Sequence, residues 1–183
     1  MNNTQRHYSR SLRALHWLMA VLLFSQLFMG ATMVARVDSY AVLVGLHKIL
    51  GLILLGLVCL RLGVRLITTA PALPSSVPQG QRRAAHSLHA LLYLLMLAQP
   101  LCGWLMLSAA GQPLTFLGWV VPSLINADSG LYVLLRSLHG LLAYLLFALM
   151  LLHVGAALVH GLIRRDGVLE RMLKTTPPEA HWD

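Results

Sequence analysis

Charge is scarce in this sequence. Only 11% of its 183 residues are Asp, Glu, Lys or Arg, where a soluble domain usually has about a quarter. Six side chains are acidic, and none of them falls within a long apolar run. That argues against a transporter built on intramembrane carboxylates, and no internal repeat suggests alternating access. The two cysteines, Cys59 and Cys102, form no CxxCH, so covalent haem attachment is not signalled. They are expected at opposite ends of their spans, too far apart for a disulfide. The lack of HExxH argues against a zinc protease. There is no low-complexity tract.

Hydrophobic residues make up 57% of the chain. They gather into four continuous runs, at about 14–35, 41–67, 84–110 and 131–163. Each reaches the roughly 20 residues that cross a bilayer as a helix. Continuous rather than alternating runs argue against strands. The expected fold is all-α: an integral membrane four-helix antiparallel bundle, with residues 1–183 forming a single domain. The first run exceeds the apolar core of a cleaved signal peptide and is taken as a retained span.

Of the 14 Lys and Arg, eleven fall to one side: Arg6, Arg10, Arg13, Arg61, Arg65, Arg82, Arg83, Arg164, Arg165, Arg171 and Lys174. Arg36, Lys48 and Arg136 fall to the other. Excess cations mark the cytoplasmic face, which places both termini there. The net charge of +8 thus reads as topology, and no nucleic-acid partner is expected. The segment "TTAPALPSSVPQGQ" reads as an extended cytoplasmic loop. The loop "GQPLTFLGWVVPSLINADSG" is unusually apolar. Its Phe116, Trp119 and Val120 are candidates for the headgroup layer on a short helix, or for packing on the bundle. Pro100 is expected to kink the third span.

Nine histidines remain to be explained. His7 and His181 lie in the tails. His16, His47, His89, His139 and His153 lie within or at the edge of spans, where an ionisable group is a functional candidate. Hydrogen bonding across helices is the plainer alternative. Spacing favours function. His139 and His153 are 14 residues apart, close to four turns, so they share a face with about 21 Å of rise between them. Alternating helix direction brings His47 to the level of His139 and His16 to the level of His153. Two facing imidazoles at each of two levels are what two six-coordinate haems require. The fit is imperfect, because His16 is three residues from Arg13 but His153 is eleven before Arg164. His86 or His89 of the third span therefore stays open as a replacement for His16, with His89 the better rival by depth.

Other polar residues fit these levels. Arg61 follows His47 by 14 residues and is a candidate clamp for a haem propionate, or else a side chain reaching the inner surface. Gly30, 14 residues after His16, is a candidate point for admitting a ring edge. Lys48 and Arg136 flank the outer histidines and form a candidate cationic rim for a small anion. Arg36 stands nearby, and Asp38 and Asp128 dilute the field. His160, with Arg13, His86 and His89, is a candidate polar pocket that relays protons to a quinone.

The stretches "ALHWL", "GLHKILG", "HSLHALLYLL", and "SLHG" followed by "LLHVGAALVH" resemble the bacterial cytochrome b561 family, as does "RRDGVLERML" near the end. The resemblance runs from about Tyr8 to Lys174. It implies two haem b groups, held by His16 with His153 and by His47 with His139. It also implies electron transfer in the bacterial inner membrane, from a periplasmic donor to ubiquinone or another quinone. One branch of the family oxidises superoxide. Related cytochrome b subunits of membrane dehydrogenases share the pattern. The alternative is therefore a haem-b anchor subunit that takes electrons from a separate partner redox protein. In either case the remaining partner is membrane lipid.

Overall fold

A computed structural model describes residues 8–68 and 77–173. Four long helices dominate: α1 (Arg10–Ala35), α2 (Tyr40–Ile67), α3 (Gln79–Ala109) and α4 (Ser129–Leu158). All four are long and apolar enough to cross a membrane. Their outward faces are greasy: Val21 is 64% exposed, Phe28 71% and Tyr144 77%. Such faces suit hydrocarbon rather than water.

Local chemistry sets the helix ends. The Ser9 hydroxyl accepts from the Leu12 amide at 3.3 Å and caps α1. The Asp128 carboxylate accepts from the Leu131 amide at 2.8 Å and caps α4. Pro100 lies inside α3, which continues on both sides of it. The helices start a few residues before the apolar runs do. Arg10 and Arg13 lie on the first turns of α1, and Arg13 is only 7% exposed. Arg13 therefore lies within the bundle. The short spacing from Arg13 to His16 does not keep His16 from the level of His153, since the two rings meet.

Successive helices are antiparallel, as cross-helix hydrogen bonds at both ends show. Gln26 of α1 meets His47 near the start of α2, while Leu12 meets Arg61 near its end. Cys102 of α3 meets Leu135 of α4. Backbones pack closely along the α1–α2, α2–α3 and α3–α4 seams, most extensively between α3 and α4. Among the described residues, no comparable backbone seam joins α4 to α1 or to α2. Met19, Leu23, Leu54, Val58, Leu92, Leu95, Leu146 and Met150 form the main core, with contributions from all four helices.

The segment between α3 and α4 is not a short helix. It forms a two-stranded hairpin, β1 (Leu114–Phe116) paired antiparallel with β2 (Trp119–Val121). Leu117 and Gly118 both take positive φ at its turn, 49° and 83°, as a two-residue hairpin turn demands. Trp119 and Val120 are exposed and Leu114 is buried.

Past α4 the chain widens into a π-helical turn, Val159–Arg164, then hooks back into the short helix α5 (Glu170–Leu173). The Trp17 indole donates to the Met172 carbonyl at 3.2 Å and ties the hook to α1. Cys59 is exposed and Cys102 buried, and both are free thiols. His7, His181, Lys174 and most of the α2–α3 connection lie outside the described residues.

Candidate functional site

The bundle has two ends. The hairpin end carries the α1–α2 turn and the β-hairpin. The terminal end carries the start of α1 and the hook with α5. One imidazole pair stands at each level.

At the hairpin level, the ring centroids of His47 (α2) and His139 (α4) are 6.1 Å apart, with planes at 78°. At the terminal level, His16 (α1) and His153 (α4) are also 6.1 Å apart, at 72°. The core described above fills the depth between them. All four expected ligands are thus brought together in the expected pairs. Each pair faces across a seam where the backbones do not pack closely, α2–α4 or α1–α4. A third imidazole joins the terminal level: His89 lies 5.3 Å from His153, and its Nδ1 donates to the Ala85 carbonyl at 2.7 Å.

The residues present suit haem iron. An imidazole nitrogen binds a first-row metal at roughly 2 Å, so two rings on opposite faces of one iron hold their centroids roughly 6 Å apart. Both pairs match that spacing. The Nδ1 atoms of His47 and His139 are buried without a hydrogen-bond partner, which marks this level as more than a packed polar contact. Among the described residues, no three His, Cys, Asp or Glu side chains converge into a metal centre of their own. A haem iron asks the protein for only two axial ligands.

The other candidates scatter. Arg61 donates through Nε to the Tyr93 hydroxyl at 3.1 Å and through its guanidinium to the Leu12 carbonyl. The protein therefore supplies neutral acceptors for this cation, where the sequence offered no anion. Arg13 is buried near the start of α1. An added Cβ at Gly30 would meet nothing within 4 Å, so that position is open. Lys48 donates to the Gln112 side chain at 3.4 Å, and Arg136 donates to the Tyr132 hydroxyl at 3.1 Å. Arg36 and Asp38 form an exposed ion pair at 3.1 Å. His160 has a different partner from those expected. Its Nδ1 contacts the Asp166 carboxylate at 2.5 Å. Asp166 is aimed by its own turn, since its other oxygen accepts from the Val168 amide at 3.2 Å.

Sequence reasoning missed Asp166, six residues beyond His160 in "RRDG". It also missed Gln26, Gln99 and Gly103. Gln26 and Gln99 each donate to the carbonyl of a hairpin-level histidine. A Cβ on Gly103 would come within 3.2 Å of the His139 ring, so the bare glycine makes room for the imidazole. Amides and glycines inside apolar runs were the available signal.

A family model described as prokaryotic cytochrome b561 matches residues 7–175. The chain is 35% identical over 176 residues to "Cytochrome b561 homolog 2" of Escherichia coli (strain K12), covering 93% of each. It is 27% identical over 169 residues to "Cytochrome b561 homolog 1" of the same organism, covering 91% of this chain and 96% of the relative. It is 31% identical over 129 residues to "Probable superoxide oxidase CybB" of Yersinia pestis, covering 70% of this chain and 73% of that protein.

Proposed function

Since the chain belongs to the prokaryotic cytochrome b561 family, a group of multi-pass membrane electron-transfer proteins that bind haem b, we propose that it moves electrons from superoxide at one face of the bacterial inner membrane to ubiquinone near the other. The observation that carries this reading is the pair of imidazole pairs, each at 6.1 Å, set 14 residues apart along α4.

His47 with His139, and His16 with His153, are the residues that would hold two haem b groups. Bound there, haem supplies one-electron redox chemistry at two depths, which no side chain in the spans provides. Arg61 and Arg13 are the cations available to the propionates at the terminal level. At the hairpin end, taken as periplasmic, Lys48 and Arg136 draw in the anion. Two superoxide anions each lose one electron and leave as dioxygen. One ubiquinone gains those two electrons together with two protons. His160, oriented by Asp166 at the terminal end, hands over protons there. The likeness to the probable superoxide oxidase supports the choice of donor.

Haem quantitation on the purified protein, with a reduced-minus-oxidised spectrum, tests the core of this reading. Two b haems per chain are expected, falling to one in His139→Ala. Absence of haem, or retention of both in that variant, would overturn it. Superoxide-dependent ubiquinol formation by the purified protein tests the donor, and a strict need for a co-purifying dehydrogenase would instead favour an anchor subunit.

A further inference from the structure

Two neutral amides sit deep in the spans and repeat one arrangement. Gln26 of α1, only 8% exposed, donates through Nε2 to the His47 carbonyl of α2 at 3.0 Å. Gln99 of α3 donates through Nε2 to the His139 carbonyl of α4, also at 3.0 Å. Each helical hairpin thus uses its first helix to grip the turn that carries the hairpin-level histidine on its second. A helical carbonyl already accepts one bond from its own helix, and its second lone pair receives the amide. Gly51 makes room for this grip, since a Cβ there would lie 3.1 Å from Gln26 Nε2.

Four buried atoms at this level lack partners: Gln26 Oε1, Gln99 Oε1, His47 Nδ1 and His139 Nδ1. Two are carbonyl acceptors. The other two become N–H donors once Nε2 of the ring binds a metal. The inventory balances, with one amide oxygen for each imidazole. The terminal level differs. His89 Nδ1 there uses a backbone carbonyl, and Gln81, an amide toward that end, accepts from Arg164 instead.

We infer that Gln26 and Gln99 are positioning residues for the hairpin-level haem: the amide N–H pins the histidine-bearing turn, and the amide oxygen takes the Nδ1 proton of the ligating ring. This rests on the two-haem reading above. An acceptor on Nδ1–H raises the basicity of the ring and favours ferric iron, so the two amides hold this haem at lower potential than histidine ligation alone would.

The test is a redox titration of the holoprotein that resolves both haems, run on Gln26→Leu and Gln99→Leu. The haem missing from His139→Ala should move to higher potential in each variant, while the other stays in place. If neither haem moves, or both move alike, the inference is overturned. Should a leucine variant lose haem, Gln26→Glu and Gln99→Glu decide. A stronger acceptor should lower the potential of that haem alone, and an unmoved midpoint overturns the inference. Failure of the parent reading looks different, because the unmutated protein would then lack two haems.

Discussion

His89 stands closer to His153 than His16 does, 5.3 Å against 6.1 Å. Its Nδ1–H is already given to a carbonyl, as ligating histidines usually are. Distance and tautomer alone would favour it. Space favours His16 instead. His89 and His153 belong to α3 and α4, whose backbones pack along the most extensive seam in the bundle. A flat macrocycle fits poorly between helices whose backbones pack closely. His16 approaches His153 from α1 across a seam that is not closed. His89→Leu should therefore keep two haems by quantitation, and His16→Leu should keep one. The reverse result would make α3 the donor. Gly103 allows a second residue-scale prediction. Alanine gains about 1 kcal/mol in helix propensity. Its Cβ would press the His139 ring at 3.2 Å, and such overpacking costs about 1–3 kcal/mol. Gly103→Ala should speed haem loss at the hairpin level on mild heating, read as decay of that haem's absorption.

Among the elements, the hook beyond α4 is the one expected to respond to pH. Arg165 and Gly167 take φ of 50° and 80°, reversing the chain so that Leu169 packs over Gly161 and Asp166 faces His160. Desolvation pushes the Asp166 carboxyl up. The His160 hydrogen bond and the Val168 amide outweigh it, and the group ends below its ordinary value. A depressed carboxyl contributes stability above its unfolded pKa, about 4, and loses it as pH falls through the lower folded value. Hydrogen-exchange protection of residues 165–173 should therefore hold steady down to about pH 4 and fall below it. Asp166→Asn should remove that acid step, and a step that persists would place the cause elsewhere. These elements also mark how far the sequence could be read. The four helices were legible because hydrocarbon forces every backbone group into internal pairing over a fixed length. The β-hairpin was not, since its turn places Leu117 at a positive φ that leucine rarely adopts. The hook was not either, because its geometry depends on side-chain contacts rather than on any period.

For the molecule as a whole, the imidazole pairing was legible because helix direction and a 14-residue spacing determine depth. The open and closed seams were not, as they depend on which side chains interlock. The same holds for charge. By count, Arg36, Lys48, Arg136, Asp38 and Asp128 nearly cancel at the hairpin end. Contacts separate them. Asp38 is paired with Arg36, and Asp128 is occupied as the cap of α4. Among the described residues, the partners of Lys48 and Arg136 are neutral: the Gln112 amide for Lys48, the Tyr132 and Tyr40 side chains for Arg136. Their sequence positions bracket the hairpin-level pair, with Lys48 next to His47 and Arg136 one turn before His139. Two cations held by neutral groups at one mouth attract a small anion over roughly a Debye length, about 10 Å at 0.1 M salt. Steering of this kind raises association rates by about 10-fold or more. Lys48→Gln with Arg136→Gln should therefore slow superoxide oxidation on the order of 10-fold at low salt, with haem content unchanged. The gap should close as salt screens the field, giving a flatter salt dependence than in the unmutated protein. Arg36→Gln made together with Asp38→Asn should do little, because that pair is neutral as a unit. Stopped-flow rates across a salt series would separate these cases. Equal rates for the double variant and the unmutated protein at low salt would show that the anion arrives without help from this rim.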